Sequence, residues 1–318
     1  MKNIAVLGAT SLVGEELIKS LEQKNFPTKE LFLYAPVVGE QKTVLFKDNE
    51  VELLPEYEGV IEKVDVVFSC VDEAQAQKII PKFEDKAVVI DTSGAYRMDR
   101  EVPLVIPEIN PDKVKEHKGI IANPRSTAIQ LLIPLYPLHE KAIVKKVSVA
   151  TYQSISGQGR DALDELTLEL EYMVVDQPME ESDERVFNDP IANNIIPQIG
   201  NFHKGGYTEE EQSLFDETRK ILEDDSIQIT STCVCVPILV ADSMAVSVLF
   251  DNPLSPHEAK EILKHAQGIK LFKTDDKYPM PIYATGKDVV FVGRIRKDLG
   301  SENGLVMWTV MDNLRKGA

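Results

Sequence analysis

The chain opens on a short apolar run, residues 4–7, that stops at Gly8; from Glu15 to Leu21 apolar residues return at helical spacing. That pattern predicts a strand, a glycine turn and a helix. Further short apolar runs follow at 31–34, 64–69 and 87–90, separated by helix-like or irregular segments. Short strands alternating with helices predict a parallel, doubly wound α/β sheet. Beyond about residue 125 the runs at 147–152, 228–237 and 245–251 are longer and partly alternating, which predicts a second, α+β domain with an antiparallel or mixed sheet. The acidic stretch 178–185 reads as an exposed loop.

Length agrees with two domains: 318 residues exceed what one small core organises. The formal net charge of -17 argues against nucleic-acid binding, which needs Lys and Arg to neutralise phosphate, and against an anionic membrane surface. No apolar run approaches the ~20 residues of a membrane span, and the N-terminus lacks a signal-peptide pattern. Cys70, Cys233 and Cys235 show no metal spacing. Cys233 and Cys235 lie two apart in a strand-like run, a geometry that strains a disulfide, so no metal and a cytoplasmic location are expected.

The glycine turn, Gly8-Ala9-Thr10-Ser11-Leu12-Val13-Gly14, sits where a dinucleotide pyrophosphate meets a helix N-terminus in a Rossmann-like fold. Gly8 permits the tight turn, and Gly14 permits close packing of helix on sheet. The middle position is Ser11, whose side chain occupies space that a third glycine would leave open, though its hydroxyl could donate to phosphate. The candidate cofactor-binding set is Gly8, Thr10, Ser11, Leu12 and Val13. Alone it is a weak motif, since glycine turns after strands also arise from packing.

Several segments make the sequence resemble the aspartate-semialdehyde dehydrogenase family along its whole length. Ala122-Asn123-Pro124-Arg125-Ser126-Thr127-Ala128-Ile129-Gln130 resembles the nucleophile segment, usually close to ANPNCSTIQ. Thr151-Tyr152-Gln153-Ser154-Ile155-Ser156-Gly157-Gln158-Gly159 resembles TYQAVSGAG. Ser93–Asp99 resembles a phosphate-arginine region, and Asn194–Ile199, Gly293–Asp298 and the segment from Met311 to Ala318 match other landmarks. The resemblance implies an NAD(P)-binding Rossmann-like domain over 1–125, rejoined by 300–318, and a dimerisation domain over 126–299. It also implies a homodimer, for which Val248 and Phe250, on one face of a candidate strand, and the 194–199 region are candidate contacts. Their plainer reading is ordinary core.

The family makes aspartate semialdehyde from aspartyl phosphate and NADPH through a cysteine thioester. The resemblance places the nucleophile at Ser126, the acid–base histidine at Asp242, the substrate arginine at Cys235 and a phosphate-facing lysine at Ser213. A hydroxyl is a poor nucleophile without a poised base, and a carboxylate is a weak base near neutral pH. Losing both cations weakens recognition of a doubly anionic substrate. The loop expected to hold the NADP 2′-phosphate reads Ala35-Pro36-Val37-Val38-Gly39-Glu40, with neither the Ser nor the Arg of the family at Pro36 and Val38. The loop after Ser69 reads Cys70-Val71-Asp72-Glu73, which brings acidic side chains toward the cofactor edge. Arg97, Asn123 and Glu210 (substrate), Gln153 (catalytic) and Asn313 (cofactor) keep the family residue. Each also has a structural reading: Arg97 paired with Asp99 or a neighbour, Gln153 satisfying buried backbone, Asn313 capping the last helix.

These substitutions together favour a catalytically silent homologue, similar to the Usg-like paralogues that lack the cysteine, with a residual nucleotide-, metabolite- or partner-binding role. The alternative is an active NADP-dependent oxidoreductase, acting on aspartyl phosphate in lysine, threonine and methionine biosynthesis or on another acyl substrate. Protonation of Asp242 near pH 7 would favour it. Hydrolysis by Ser126 is a weaker third reading, since no histidine is recognisable as its base.

Overall fold

The computed structural model describes residues 1–36, 42–175, 185–274 and 276–317, and divides into two compact units, Met1–Arg125 and Ser126–Gly317. The predicted acidic loop at 178–185, all but its last residue, and Val38 of the expected 2′-phosphate loop lie outside the described residues.

In the first unit the strands are β1 (Lys2–Leu7), β2 (Thr28–Tyr34), β3 (Thr43–Phe46), β4 (Asn49–Leu54), β5 (Val66–Ser69), β6 (Val88–Asp91) and β7 (Ile120–Ala122). They form one sheet in the order β3-β4-β2-β1-β5-β6-β7, parallel except for the β3–β4 hairpin. Helix α1 (Leu12–Gln23) and α2 (Glu73–Ile79) follow β1 and β5. Ile4 to Leu7 are entirely apolar or buried because a central parallel strand is covered on both sides. The register sets Leu7 beside Tyr34 on one side and Ser69 on the other. The strand order reverses between β1 and β5, the switch point at which ligands bind in open α/β sheets, and the glycine turn is there.

The second unit carries β8 (Val144–Gln153), β9 (Gln228–Cys235), β10 (Asp242–Phe250), β11 (Ile269–Leu271), β12 (Val290–Lys297) and β13 (Gly304–Met311). Its sheet runs β11-β12-β13-β10-β8-β9, mixed as expected: β8–β9 and β11–β12 are parallel and the rest antiparallel. Its helices are α3 (Ser126–Ala142), α4 (Arg160–Val174), α5 (Glu209–Leu222), α6 (Pro256–His265), α7 (Pro281–Ala284) and α8 (Asn313–Gly317). Helix α3 keeps two internal prolines and buries most of its length, so it is apolar all round rather than striped.

Two expectations need correction. Residues 300–317 do not return to the first unit: β13 is an inner strand of the second sheet, paired over its length with β10. Val248 and Phe250 are fully buried core residues of β10, not surface contacts. Ala245, Ser247 and Leu249, which alternate with them along the strand, are the half-buried positions.

The glycine turn fixes a stability test. A Cβ on Gly14 would stand 2.2 Å from the Gly8 carbonyl oxygen, which is backbone and cannot yield cheaply. Gly14→Ala is expected to cost about 1–3 kcal/mol in chemical denaturation followed by circular dichroism. Gly59→Ala, where a Cβ meets nothing within 4 Å, should leave the midpoint within error.

Candidate active site

In the first unit the site residues gather at the C-terminal edge of the parallel strands. Gly8 has φ +79°, and a Cβ there would lie 2.5 Å from the Cys70 carbonyl oxygen, so both conformation and space require glycine. Ser11 is the N-cap of α1: its Oγ accepts the Gly14 N–H at 3.0 Å and donates to the Gly8 carbonyl at 2.8 Å. The hydroxyl is therefore consumed inside the turn, which corrects the expectation that it could reach a phosphate. Gly14 is served by this cap and Glu15 by the Ser11 carbonyl, leaving the Leu12 and Val13 N–H groups with no partner inside the helix. Thr10 and these two residues sit half-exposed at the turn.

The acidic residues after Ser69 are also structural. Asp72 caps α2 by accepting the Gln75 N–H at 2.8 Å, and the Glu73 carboxylate fills the space beside Gly94. Burial pushes the Cys70 thiol up to about 12, far from a thiolate. Pro36 is exposed at the end of the described segment.

Arg97 is 8% exposed, and its guanidinium donates from Nε to the Asn123 carbonyl at 2.9 Å and from Nη2 to the Thr92 carbonyl at 2.6 Å. It clamps the segment after β6 to the segment after β7 through backbone carbonyls. Asn123 donates from Nδ2 to the Pro124 carbonyl.

In the second unit the structure brings together most of the remaining predicted residues. Ser126 opens α3, half-buried, and a Cβ on Gly317 would stand 2.4 Å from its Cβ. Its neighbour Thr127, absent from the sequence-based set, donates to Glu210 Oε1 at 2.6 Å. Gln153 Nε2 reaches the same oxygen at 3.4 Å and Thr151 Oγ1 at 3.2 Å. The side-chain amide of Gln153 thus meets polar side chains rather than buried backbone. Ser213 lies one turn after Glu210 on α5 and is half-buried.

Cys235 and Cys233 are free, buried, and on one face of β9, as the two-residue spacing predicts. Burial, with the nearby charges of Asp242 and Glu210, holds the Cys235 thiol at about 12. Asp242 starts β10 at 2% exposure. Its Oδ1 accepts the Ser154 N–H at 2.7 Å and the Ser154 hydroxyl at 2.8 Å. Burial raises its carboxyl to about 7, with Glu210 and Asp312 adding to the rise and the Ser154 hydrogen bonds opposing it. Asn313 does not cap the last helix; Asp312 does, accepting the Leu314 and Arg315 N–H groups. Asn313 instead turns its amide inward, onto Ser154, Ser156 and the Ala241 N–H. Ser154, like Thr127, was missed. The available signal was a serine in the segment where the TYQAVSGAG pattern has alanine.

Among the described residues no group of His, Cys, Asp and Glu is arranged to hold a metal ion, and no helix is long and apolar enough to cross a membrane.

A doubly wound nucleotide-type unit followed by a mixed-sheet unit is the architecture of semialdehyde dehydrogenases, and the comparisons agree. Residues 3–117 match the family description "Semialdehyde dehydrogenase, NAD binding domain" and residues 135–316 match "Semialdehyde dehydrogenase, dimerisation domain". The chain is 42% identical over 322 residues to the aspartate-semialdehyde dehydrogenase of Aquifex aeolicus, covering 99% of this chain and 94% of that protein. It is 38% identical over 324 residues to that of Bacillus subtilis, covering 99% and 94%. The crystal structure of aspartate semialdehyde dehydrogenase II from Vibrio cholerae superposes with a TM-score of 0.96 at 37% identity, covering 100% of this chain and 95% of that one. The chain belongs to the aspartate-semialdehyde dehydrogenase family.

The buried carboxyl gives a pH test. Because Asp242 is held at about 7 in the fold against an ordinary 3.8, the folded state keeps its proton over that window and the unfolded chain does not. Its contribution to stability is therefore greatest below pH 4 and falls as pH rises toward 7, by up to roughly tenfold in the unfolding constant per pH unit. Urea denaturation from pH 4.5 to 8 should show Asp242→Asn losing this fall, and parallel profiles for both proteins would refute the assignment.

Proposed function

We propose that this protein is an aspartate-semialdehyde dehydrogenase homologue whose substrate pocket no longer supports the family's thioester chemistry, while the dinucleotide-binding turn is retained. The observation that supports this most is the sign of the charge around Asp242. The groups acting on it are the carboxylates Glu210 and Asp312, and the position of the substrate arginine is a buried neutral thiol, Cys235. Such a pocket repels the doubly anionic acyl phosphate that the resemblance implies. Ser126 supplies no thiolate, and Asp242 is engaged by two hydrogen bonds from Ser154. The position of the phosphate-facing lysine is the short, neutral Ser213. Arg97 and Asn123 still shape the edge of the first unit.

For NADP, the residues that would hold the pyrophosphate are Gly8, Thr10, Leu12 and Val13, in a turn ordered by Ser11, with the Leu12 and Val13 N–H groups and the α1 dipole supplying the attraction. Bound there, the cofactor would supply hydride. Asn313 is the residue of the second unit assigned to it. The description of the second domain supports a homodimer.

The second reading is an active NADP-dependent aspartate-semialdehyde dehydrogenase, and whole-chain similarity to proteins of that name supports it better than it supports a silent homologue. One local feature also favours it: a carboxyl held near 7 can take up and release a proton at neutral pH, as an acid–base group must. The chemistry at Ser126, Cys235 and Ser213 weighs against it.

Calorimetric titration of NADP and NAD, followed by a reduction assay with aspartyl phosphate on the same sample, separates the two. We expect dinucleotide binding without turnover, and no turnover on Ser126→Cys alone. Activity should appear only when Asp242→His, Cys235→Arg and Ser213→Lys accompany it. Turnover by the unaltered protein establishes the second reading instead.

A further inference from the structure

Ser154, Ser156 and Asn313 form a closed ring of hydrogen bonds beside Asp242, because Ser154 Oγ lies 3.1 Å from Asn313 Oδ1 as well as 3.1 Å from Ser156 Oγ. The contacts are Asp242 Oδ1 to Ser154 Oγ at 2.8 Å, Ser154 Oγ to Ser156 Oγ at 3.1 Å, and Ser156 Oγ to the Asn313 amide. At that last step both amide atoms are within reach: Oδ1 at 3.1 Å and Nδ2 at 3.0 Å. Each serine has one proton to give, so the carboxyl decides where Ser154 sends its own.

With Asp242 ionised, Ser154 donates its one hydroxyl proton to the carboxylate, and Ser156 is the hydroxyl left to serve Asn313 Oδ1. With a proton on Asp242 Oδ1, the carboxyl donates to Ser154, and Ser154 turns its own proton onto Asn313 Oδ1 or Ser156. One proton taken from solvent thus redirects the Ser154 hydroxyl, and no covalent bond other than O–H is made or broken. The Ala241 N–H, 3.2 Å from Asn313 Oδ1, donates to that oxygen in both states. Ala241 adopts φ +78° to deliver its N–H, a conformation an alanine rarely takes.

We propose that Ser154 is a positioning residue that passes the charge state of Asp242 to the side-chain amide of Asn313, so that a proton on Asp242 sets whether the Ser154 hydroxyl is held by the carboxylate or released toward Asn313. The groups facing the carboxyl are Glu210 from α5, Cys235 from β9 and Asp312 just before α8, besides Ser154 itself. Of the charged groups among them, both are acidic. The relay needs no dinucleotide, so it stands or falls separately from the cofactor reading. Where that reading holds, the relay makes the cofactor side of Asn313 sensitive to pH.

The test is an NMR titration of the full chain, selectively labelled with 15N-asparagine and 13C-aspartate, from pH 5 to 9 without added ligand. Asn313→Asp assigns the amide by its disappearance. We expect the Asn313 side-chain N–H2 signals and the Asp242 carboxyl carbon to move with one shared midpoint. In Ser154→Ala the Asp242 midpoint should rise, because a donor to the carboxylate is gone, while the Asn313 signals stop following it. Ser154→Thr should restore the coupling. Asp242→Asn, which carries no titrating proton, should hold Asn313 at one position across the range, and it keeps the proposal testable if Ser154→Ala fails to fold. Asn313 signals that do not move in the unaltered protein, or that move identically in Ser154→Ala or Asp242→Asn, overturn the proposal.

Discussion

A carboxylate shut away from water must be met by hydrogen-bond donors or keep its proton, and around Asp242 this requirement organises one end of the second unit. Ser154 supplies two donors to it, Ser156 and Asn313 support Ser154, and Asn313 in turn holds the backbone of Ala241 at the entry to β10. The end of β8, the start of β10 and the start of α8 are thereby joined through polar atoms. The apolar core beneath them fixes the sheet; this network fixes how its end is finished. Ser154 opposes the rise that burial forces on the carboxyl but does not cancel it.

The same network has a chemical consequence. A side chain held by two short hydrogen bonds is well placed to be structural and poorly placed to approach a nucleophile. Together with Glu210, which is gripped by Thr127 and approached by Gln153, it makes the pocket of the second unit acidic and hydrogen-bonded. Departures from the family pattern at Ser126, Ser154, Ser213, Cys235 and Asp242 therefore belong together physically. The serine at 154 answers the carboxylate at 242, and on the proposed reading the neutral groups at 213 and 235 stand where the resemblance implies cations. In the first unit, the glycine turn keeps the geometry that requires glycine at positions 8 and 14.

What could be read from the sequence was what depends on local periodicity. The change from a short apolar run to helical spacing located β1, the turn and α1, and the Cys233–Cys235 spacing correctly put both thiols on one face. Assignments that depend on which groups meet in space were less legible. The apolar run Gly304–Met311 carries no sign of which sheet it joins, and the resemblance placed it with the first unit while it pairs with β10. Both Asp312 and Asn313 are residue types that cap helices, and only the fold decides that Asp312 does so. Arg97 offers no sign in sequence that its guanidinium donates to the carbonyls of Thr92 and Asn123. The acidic Asp72 and Glu73 looked like intruders at a cofactor edge, yet one is a helix cap and the other packs against Gly94.

The central claim, that this scaffold does not carry the family's covalent step, is tested most directly by intact-mass spectrometry of the full chain after incubation with aspartyl phosphate, with and without NADP. The account predicts a single unmodified species under both conditions. An adduct of one aspartyl group that maps to Ser126 would contradict it.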